Sequence, residues 1–374
     1  MHMKCFTQLI DYLNAYSPGR QIAVILDETV SHIYEDVAAQ ALNQAEITHT
    51  FITVPSGEAH KTLSSAQKIY EQLFEIPMKK GDVLVAIGGG VILDLSGFIA
   101  ATYLRGLSLV FIPTTVLAMV DASIGGKNGV NTPFGKNTLG TMYTPSEVLI
   151  DIEFLKTLEE KDFISGFAEI LKHALIADFK LFRLLLKTFE AGCLSLKELF
   201  LNSIEAESLI EVNRQIKREI CSEDADNPEL HLRDALNFGH TLGHALEVLT
   251  DFGISHGKAV LLGMAFEVHV SCERGYLPTE DGATILGLIQ RIHPGITSEL
   301  DSLLVDLQIA EMLDRLVSLM QQDKKSSSNC VPLILLGDIG RIHAPNPKDC
   351  CIHVAPEECR SYLVNFFDTK GAFA

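Results

Sequence analysis

The chain has 374 residues, 47% of them hydrophobic and 21% charged, a composition that builds a sizeable soluble core and at this length favours two domains over one. A formal charge of -18 argues against nucleic acid or an anionic membrane surface as a general partner, so a basic cluster must be local and purposeful. No apolar run is long and clean enough to span a bilayer, the N-terminus lacks a signal-peptide layout, and eight cysteines without even spacing point to free thiols in a reducing cytoplasm.

Strand and helix alternate through the first part. Gln21 to Leu26 is a short apolar run ending at Asp27, and Ile47 to Val54 is a second strand candidate closed by Pro55-Ser56-Gly57. Lys61 to Phe74 has helical periodicity. Asp82 to Ile87 reads as a buried strand running into Gly88-Gly89-Gly90, with a helix expected over Leu93 to Tyr103 and a strand over Ser108 to Ile112, stopped by Pro113. Such alternation predicts a mostly parallel sheet covered by helices. A strand, a glycine turn and a helix N-terminus offer backbone N–H groups to an anion, and glycine lets a pyrophosphate approach. The dinucleotide fingerprint is incomplete, since Leu93 stands where a third glycine belongs, so a plain tight turn remains the other reading. Asp94 suits the N-terminal end of the helix dipole. Asp27 is either a partner for a ribose hydroxyl or a helix cap. Asp121 to Asn131 and Gly135-Lys136-Asn137 read as a glycine- and asparagine-rich loop, a solvated linker or a place for Lys127 and Lys136 to capture an anion. Val148 to Asp151 is the last strand, and the domain boundary is placed there: 1–151 and 152–374.

Beyond 152 the pattern turns helical, through Leu158 to Glu190 and Leu194 to Cys221. After the acidic breaker Glu223 to Pro228 comes Asn237-Phe238-Gly239-His240-Thr241-Leu242-Gly243-His244-Ala245. A helix over Gly239 to Thr250 puts His240, His244 and Glu247 on one stripe, with Leu242, Leu246 and Leu249 on roughly the opposite side. His256 opens a further apolar helix, Gly257 to Arg274. Imidazole with a carboxylate suits a borderline metal, and Glu169 sits on an equally apolar stretch. The competing reading is a set of hydrogen-bonded core histidines. Cys350, Cys351 and Cys359 near His353 lack zinc-type paired spacing and read as buried or incidental thiols. Val331 to Leu336 reads as one strand, and the tail from Ile342 as surface-bound, ending in a helix.

The residues as a set resemble the 3-dehydroquinate synthases, over nearly the whole chain. The matching stretches are Pro55-Ser56-Gly57-Glu58 with Lys61; Gly88-Gly89-Gly90-Val91 with Asp94 and Gly97; Tyr103-Leu104-Arg105-Gly106; Pro113-Thr114-Thr115; Asp121 to Lys127; Gly135-Lys136-Asn137; Ala168-Glu169 with Lys172; Asn237 to His244; and His256-Gly257. The resemblance implies an NAD-binding α/β domain followed by a mainly helical metal- and substrate-binding domain, with the active site between them, in a homodimer. It implies conversion of a phosphorylated sugar acid, 3-deoxy-D-arabino-heptulosonate 7-phosphate, to 3-dehydroquinate and phosphate. C5 is oxidised by NAD, phosphate leaves C7 by β-elimination, the hydride returns, the ring opens and an aldol step closes the carbocycle.

By the same resemblance Glu169, His240 and His256 bind a divalent metal, zinc or cobalt, and His244 is catalytic rather than a ligand. Arg105, Lys127 and Asn137 face the phosphate; Lys172, Lys217, Arg233, Asn237, Lys324 and Lys325 serve the substrate. Gly88, Gly89, Gly90 and Asp94 cradle the NAD pyrophosphate, Thr114 and Thr115 lie near the nicotinamide ribose, Asp121 and Lys136 lie near the nicotinamide, and Lys127 also contributes to the cofactor site. Asp27, Glu58 and Lys61 lie towards the adenosine. The chain departs from the family pattern in a longer stretch between Lys217 and Arg233, in His231 where a glycine is usual, and in lacking a glycine after Lys325. Other sugar-phosphate cyclases share most of these motifs. Iron-group polyol dehydrogenases share the architecture but release NADH.

Overall fold

Aliphatic runs set the centre of the first unit. The strands are β1 (Ile22–Asp27), β2 (His49–Val54), β3 (Val83–Gly88), β4 (Ser108–Pro113) and, after a hairpin of β5 (Lys127–Thr132) and β6 (Gly135–Met142), β7 (Glu147–Val148). In this computed structural model, residues 3–76, 78–133, 135–190, 195–202, 206–296, 298, 309–322, 330–346 and 349–368 are described. They fall into two compact units, Met1–Leu158 with Ile204–Arg214, and Glu159–Ser203 with Gln215–Ala374.

The main sheet of the first unit has the order β2-β1-β3-β4-β7, with every pair parallel. β3 is buried from end to end, as a strand covered on both faces must be. The helices of this unit are α1 (Lys4–Tyr16), α2 (Glu28–Gln44), α3 (Leu63–Glu75) and α4 (Gly90–Thr102). Because β2 lies on one side of β1 and β3 on the other, the winding reverses between β1 and β3. Open α/β sheets bind ligands outside the carboxyl ends of their strands at such a point. Asp27 ends β1 and Gly88 ends β3 there.

α1 lies where no helix is expected from the sequence, and α2 follows Asp27, one of whose two readings is a helix cap. α2 starts because Asp27 caps it, accepting from the amides of Thr29 at 2.9 Å and Val30 at 3.1 Å. The expected loop from Asp121 onward is also corrected. Ala118–Ala122 is a π-helical turn, and Lys127 onward forms the antiparallel hairpin β5-β6. Asn128 fixes this hairpin, donating to the carbonyls of Gly126 at 2.9 Å and Tyr143 at 2.8 Å. A Cβ on Gly97 would stand 1.9 Å from its Oδ1, so α4 and the hairpin meet only because Gly97 has no side chain. Buried Arg214 donates to the carbonyl of Met119 at 3.0 Å and to Ser123 Oγ at 3.3 Å, holding the π-turn from behind.

The second unit is helical. It holds α5 (Glu160–Ala177), α6 (Phe179–Glu190), α7 (Leu196–Asn202) and α8 (Ala206–Asp226), whose residues up to Arg214 group with the first unit. Then come α9 (His240–Leu249), α10 (His256–Glu273), α11 (Thr279–Ile292), α12 (Ile309–Gln321) and α13 (Pro356–Asp368). α10 is apolar on nearly every side and correspondingly buried, as a central helix should be. The single strand expected over Val331 to Leu336 is two, β8 (Val331–Leu333) and β9 (Leu336–Asp338); β9 pairs with β10 (Arg341–Ile342) and β8 with β11 (Ile352–Val354). The tail is not a surface appendage, since α13 buries Cys359, Leu363, Phe366 and Phe367, with Phe366 edge-on to Phe266 at 5.6 Å. Among the described residues the cysteines are free thiols, and no helix is long and apolar enough to cross a membrane.

Candidate active site

In the second unit three helices bring Glu169, His240 and His256 together, with one ligating atom of each within 4.8 Å of the others. Glu169 comes from the buried middle of α5; the two histidines open α9 and α10. Glu169 Oε1 is 3.5 Å from His240 Nε2 and 3.5 Å from His256 Nε2. Ligand atoms about 2.1 Å from one tetrahedral ion lie about 3.4 Å apart, so this donor set fits a zinc-sized cation. Each imidazole is also held from behind. His240 Nδ1 is 3.1 Å from the carbonyl of Phe238, and His256 Nδ1 is 3.4 Å from Glu247 Oε1. A proton on Nδ1 satisfies both contacts and makes Nε2 of each ring the atom that would meet a cation beside Glu169.

The electrostatics agree with this. Burial, then Lys172, keeps the His240 imidazole well below its ordinary pKa, so the ring is neutral at neutral pH. Burial also pulls His256 down, but hydrogen bonding to Glu169 and Glu247 outweighs it and holds the ring up to about 9. Of these two carboxylates Glu169 lies on the Nε2 side of the ring, with the group, and Glu247 on the Nδ1 side, behind it.

His244 stands beside the three, its ring 5.3 Å from that of His240 and 6.5 Å from that of His256, and it is exposed. The helical stripe that joins His240 to His244 therefore joins a group member to its neighbour, while the further members come from other helices. Lys172 is buried in an ion pair with Glu169. Arg233 pairs with Asp224 at 3.2 Å and donates to the carbonyl of Cys221 at 3.3 Å. Asn237 donates to the carbonyl of Asp234 at 2.9 Å, and Lys217 is half-buried on α8. His231 adopts a left-handed conformation with φ 47°. A residue with a Cβ takes that backbone at a cost of about 1 kcal/mol. Lys324 and Lys325 lie outside the described residues.

In the first unit the candidate nucleotide residues gather along the carboxyl ends of the strands. Gly89 caps α4 with no side-chain partner for the first amides, which leaves them for an anion. The glycines are needed for space. A Cβ on Gly88 would lie 2.6 Å from that of Ile92, and one on Gly89 would lie 3.2 Å from Thr115 Cγ2. Thr114 follows β4, its amide donating to the carbonyl of Gly88 at 3.0 Å, and Thr115 Oγ1 accepts from the amide of Ala118 at 3.1 Å. Asp94 is ion-paired to buried Lys61. Glu58 Oε1 accepts from Asn131 Nδ2 at 2.8 Å. Asn131 Oδ1 takes the amide of Asn137 at 2.9 Å, so β5 links Glu58 to the lysine turn. Asp121 lies in the π-turn, Lys127 is exposed at the start of β5, and Lys136 is half-buried on β6. Arg105 is exposed at φ 64° and Asn137 at φ 51°, both left-handed turn positions that present side chains outward.

Glu247 behind His256, the Phe238 carbonyl behind His240 and Arg214 behind the π-turn are absent from the sequence-based set. Glu247 had a signal, the shared stripe with His240, but its partner lies on another helix.

Known proteins carry the same architecture. The 3-dehydroquinate synthase N-terminal family model matches residues 51–165 and the C-terminal one residues 166–326. A curated 3-dehydroquinate synthase of Streptococcus pneumoniae (strain JJA) is 36% identical over 363 residues, 96% of this chain and 94% of the relative. The solved 2-epi-5-epi-valiolone synthase ValA of Streptomyces hygroscopicus, with NAD+ and Zn2+ bound, superposes with a TM-score of 0.80 at 25% identity, covering 95% of this chain and 92% of that one. A 2-deoxy-scyllo-inosose synthase complexed with carbaglucose-6-phosphate, NAD+ and Co2+ gives 0.77 at 25% identity, covering 95% and 94%. With both halves matched in order and a relative aligned nearly end to end, the chain belongs to the 3-dehydroquinate synthase family.

Proposed function

We propose that this protein is a phosphate-eliminating cyclase that converts 3-deoxy-D-arabino-heptulosonate 7-phosphate to 3-dehydroquinate and inorganic phosphate. The transformation passes through transient oxidation, β-elimination, re-reduction, ring opening and aldol closure. The observation that carries this reading is the nearly full-length match to a curated synthase at 36% identity, against 25% for the two cyclases of other specificity. Residues 1–151 would form the NAD-binding domain and 152–374 the metal- and substrate-binding domain, in a cytoplasmic homodimer.

Glu169, His240 and His256 would hold the divalent metal, zinc or cobalt. Asp27, Glu58, Lys61, Gly88, Gly89, Gly90, Asp94, Thr114, Thr115, Asp121, Lys127 and Lys136 would hold NAD. When bound, the two supply Lewis-acid polarisation of the substrate oxygen and a reversible hydride acceptor. The chain's own groups do the rest. Arg105, Lys127 and Asn137 bind the phosphate, in a protein whose overall charge would otherwise repel it. Lys172, Lys217, Arg233, Asn237, Lys324 and Lys325 bind or orient the carboxylate and hydroxyl oxygens. His244, with two ring nitrogens able to give and take protons, serves the later proton transfers.

Replacing Lys127 by Ala is expected to slow phosphate release about 100-fold or more, the usual loss when one cationic or hydrogen-bonding group at developing charge is removed. Since Lys127 is exposed, the melting temperature should move little; an unchanged rate removes Lys127 from the site. A substrate panel tests specificity. The heptulosonate phosphate should turn over, while a sugar phosphate of the same length without the carboxylate should not. Equal turnover of both would point to a cyclase of another specificity.

A further inference from the structure

We infer that Glu267 is a positioning residue of the metal centre: its carboxyl group holds the peptide beside His240 in register with His256. The inference rests on Glu169, His240 and His256 being the metal ligands.

Glu267 is completely buried on α10, and its Oε2 accepts the Gly239 amide at 2.6 Å. A carboxyl in the middle of an apolar helix is costly to bury without a specific partner. Gly239 is the left-handed residue, φ 78°, that caps α9, so the held amide belongs to the residue just before His240. The other side of the same turn is clamped too. A Cβ on Gly263 would sit 1.8 Å from the Gly239 carbonyl oxygen, and one on Gly239 would sit 2.8 Å from the Val260 carbonyl oxygen.

His256, Val260, Gly263 and Glu267 follow one another at spacings of four, three and four residues, which makes one stripe along α10. One face of α10 thus supplies a ligand at its start, a groove for the α9 turn in its middle, and an acceptor for that turn one helical turn further on. α9 answers at its other end, where Glu247 backs His256 Nδ1 at 3.4 Å. The two helices run antiparallel, and the contacts at both ends fix their register. A slip of α9 along α10 carries His240 Nε2 away from the 3.5 Å spacing it keeps with Glu169 Oε1. Glu267 touches neither metal nor substrate and acts through His240.

The test is zinc affinity of the metal-stripped full-length protein, measured by competition with a chromophoric chelator, together with melting temperature and NAD binding. Glu267→Leu, which keeps bulk and removes the acceptor, is expected to weaken zinc binding about 10- to 100-fold, the usual effect of losing an outer partner of a metal ligand. Glu267→Gln keeps an oxygen for Gly239 and should recover most of that loss. Val268→Ala, a buried truncation on the same helix, should lower the melting temperature and leave zinc affinity unchanged. If Glu267→Leu does not fold, Glu267→Asp, whose carboxylate is one carbon short of Gly239, is expected to show the same weakening. Unchanged zinc affinity in Glu267→Leu or Glu267→Asp, while Glu169→Ala binds weakly, overturns the role of Glu267 alone. Wild-type affinity in Glu169→Ala overturns the ligand assignment itself.

Discussion

Glu169→Ala is expected to reduce kcat/KM by at least about a thousandfold, equivalent to about 4 kcal/mol of transition-state stabilisation, and also to destabilise the fold. The second effect comes from Lys172. Glu169 and Lys172 are 1% and 2% exposed and pair directly, one turn apart on α5. Removing one member of a buried pair leaves an uncompensated charge and costs about 3–5 kcal/mol. The two effects can be separated. In the double variant Glu169→Ala, Lys172→Met the buried charge is gone, so much of the stability should return, while metal binding and turnover should not. NAD binding should persist in both variants, since its candidate residues belong to the other unit. The measurements are metal content after dialysis, thermal melts and steady-state rates. A Glu169→Ala enzyme that keeps its metal and a wild-type rate would sink the ligand assignment.

Gly263→Ala is expected to be the most damaging glycine substitution around the metal centre. The added Cβ would meet the Gly239 carbonyl oxygen at 1.8 Å and the Gly243 amide nitrogen at 3.1 Å, both backbone atoms that cannot rotate away. α9 and α10 must separate, and overpacking of this kind costs about 1–3 kcal/mol or more. Because His240 and His256 sit on these two helices, the separation should also empty the site of metal. Gly287→Ala on α11 is the control: nothing lies within 4 Å of its Cβ, so a gain of about 0.4–1 kcal/mol is expected from helix propensity and a less flexible unfolded chain. Melting temperatures and metal content of the pair decide the matter. Equal stability and equal metal content would show that the helices are not in the close contact described.

The sheet was legible because β1, β3 and β4 are continuous apolar runs, closed by Asp27, Gly88 and Pro113, the pattern of strands covered on both faces. The hairpin was not, because β6 is exposed along most of its length and carries no apolar alternation to reveal a strand. In the metal centre, helical periodicity finds neighbours on one helix, and so it pairs His240 with His244 and Glu247. Residues brought together across helices leave no such mark. Glu247 serves His256, and Glu267 meets Gly239, by the packing of α9 on α10, which single-sequence periodicity does not encode. The set Glu169, His240 and His256 came from resemblance to a family, and the structure brings those three side chains into one group. Asp27 left two readings open; it caps α2 while standing at the carboxyl end of β1, a place compatible with both.

The most direct test of the central claim is to give the purified protein 3-deoxy-D-arabino-heptulosonate 7-phosphate with NAD+ and zinc, and to follow inorganic phosphate and NADH absorbance together. Phosphate released over many turnovers without net NADH is the expected result, because the hydride is returned in each cycle. Net NADH without phosphate would contradict the assignment and make the protein a dehydrogenase.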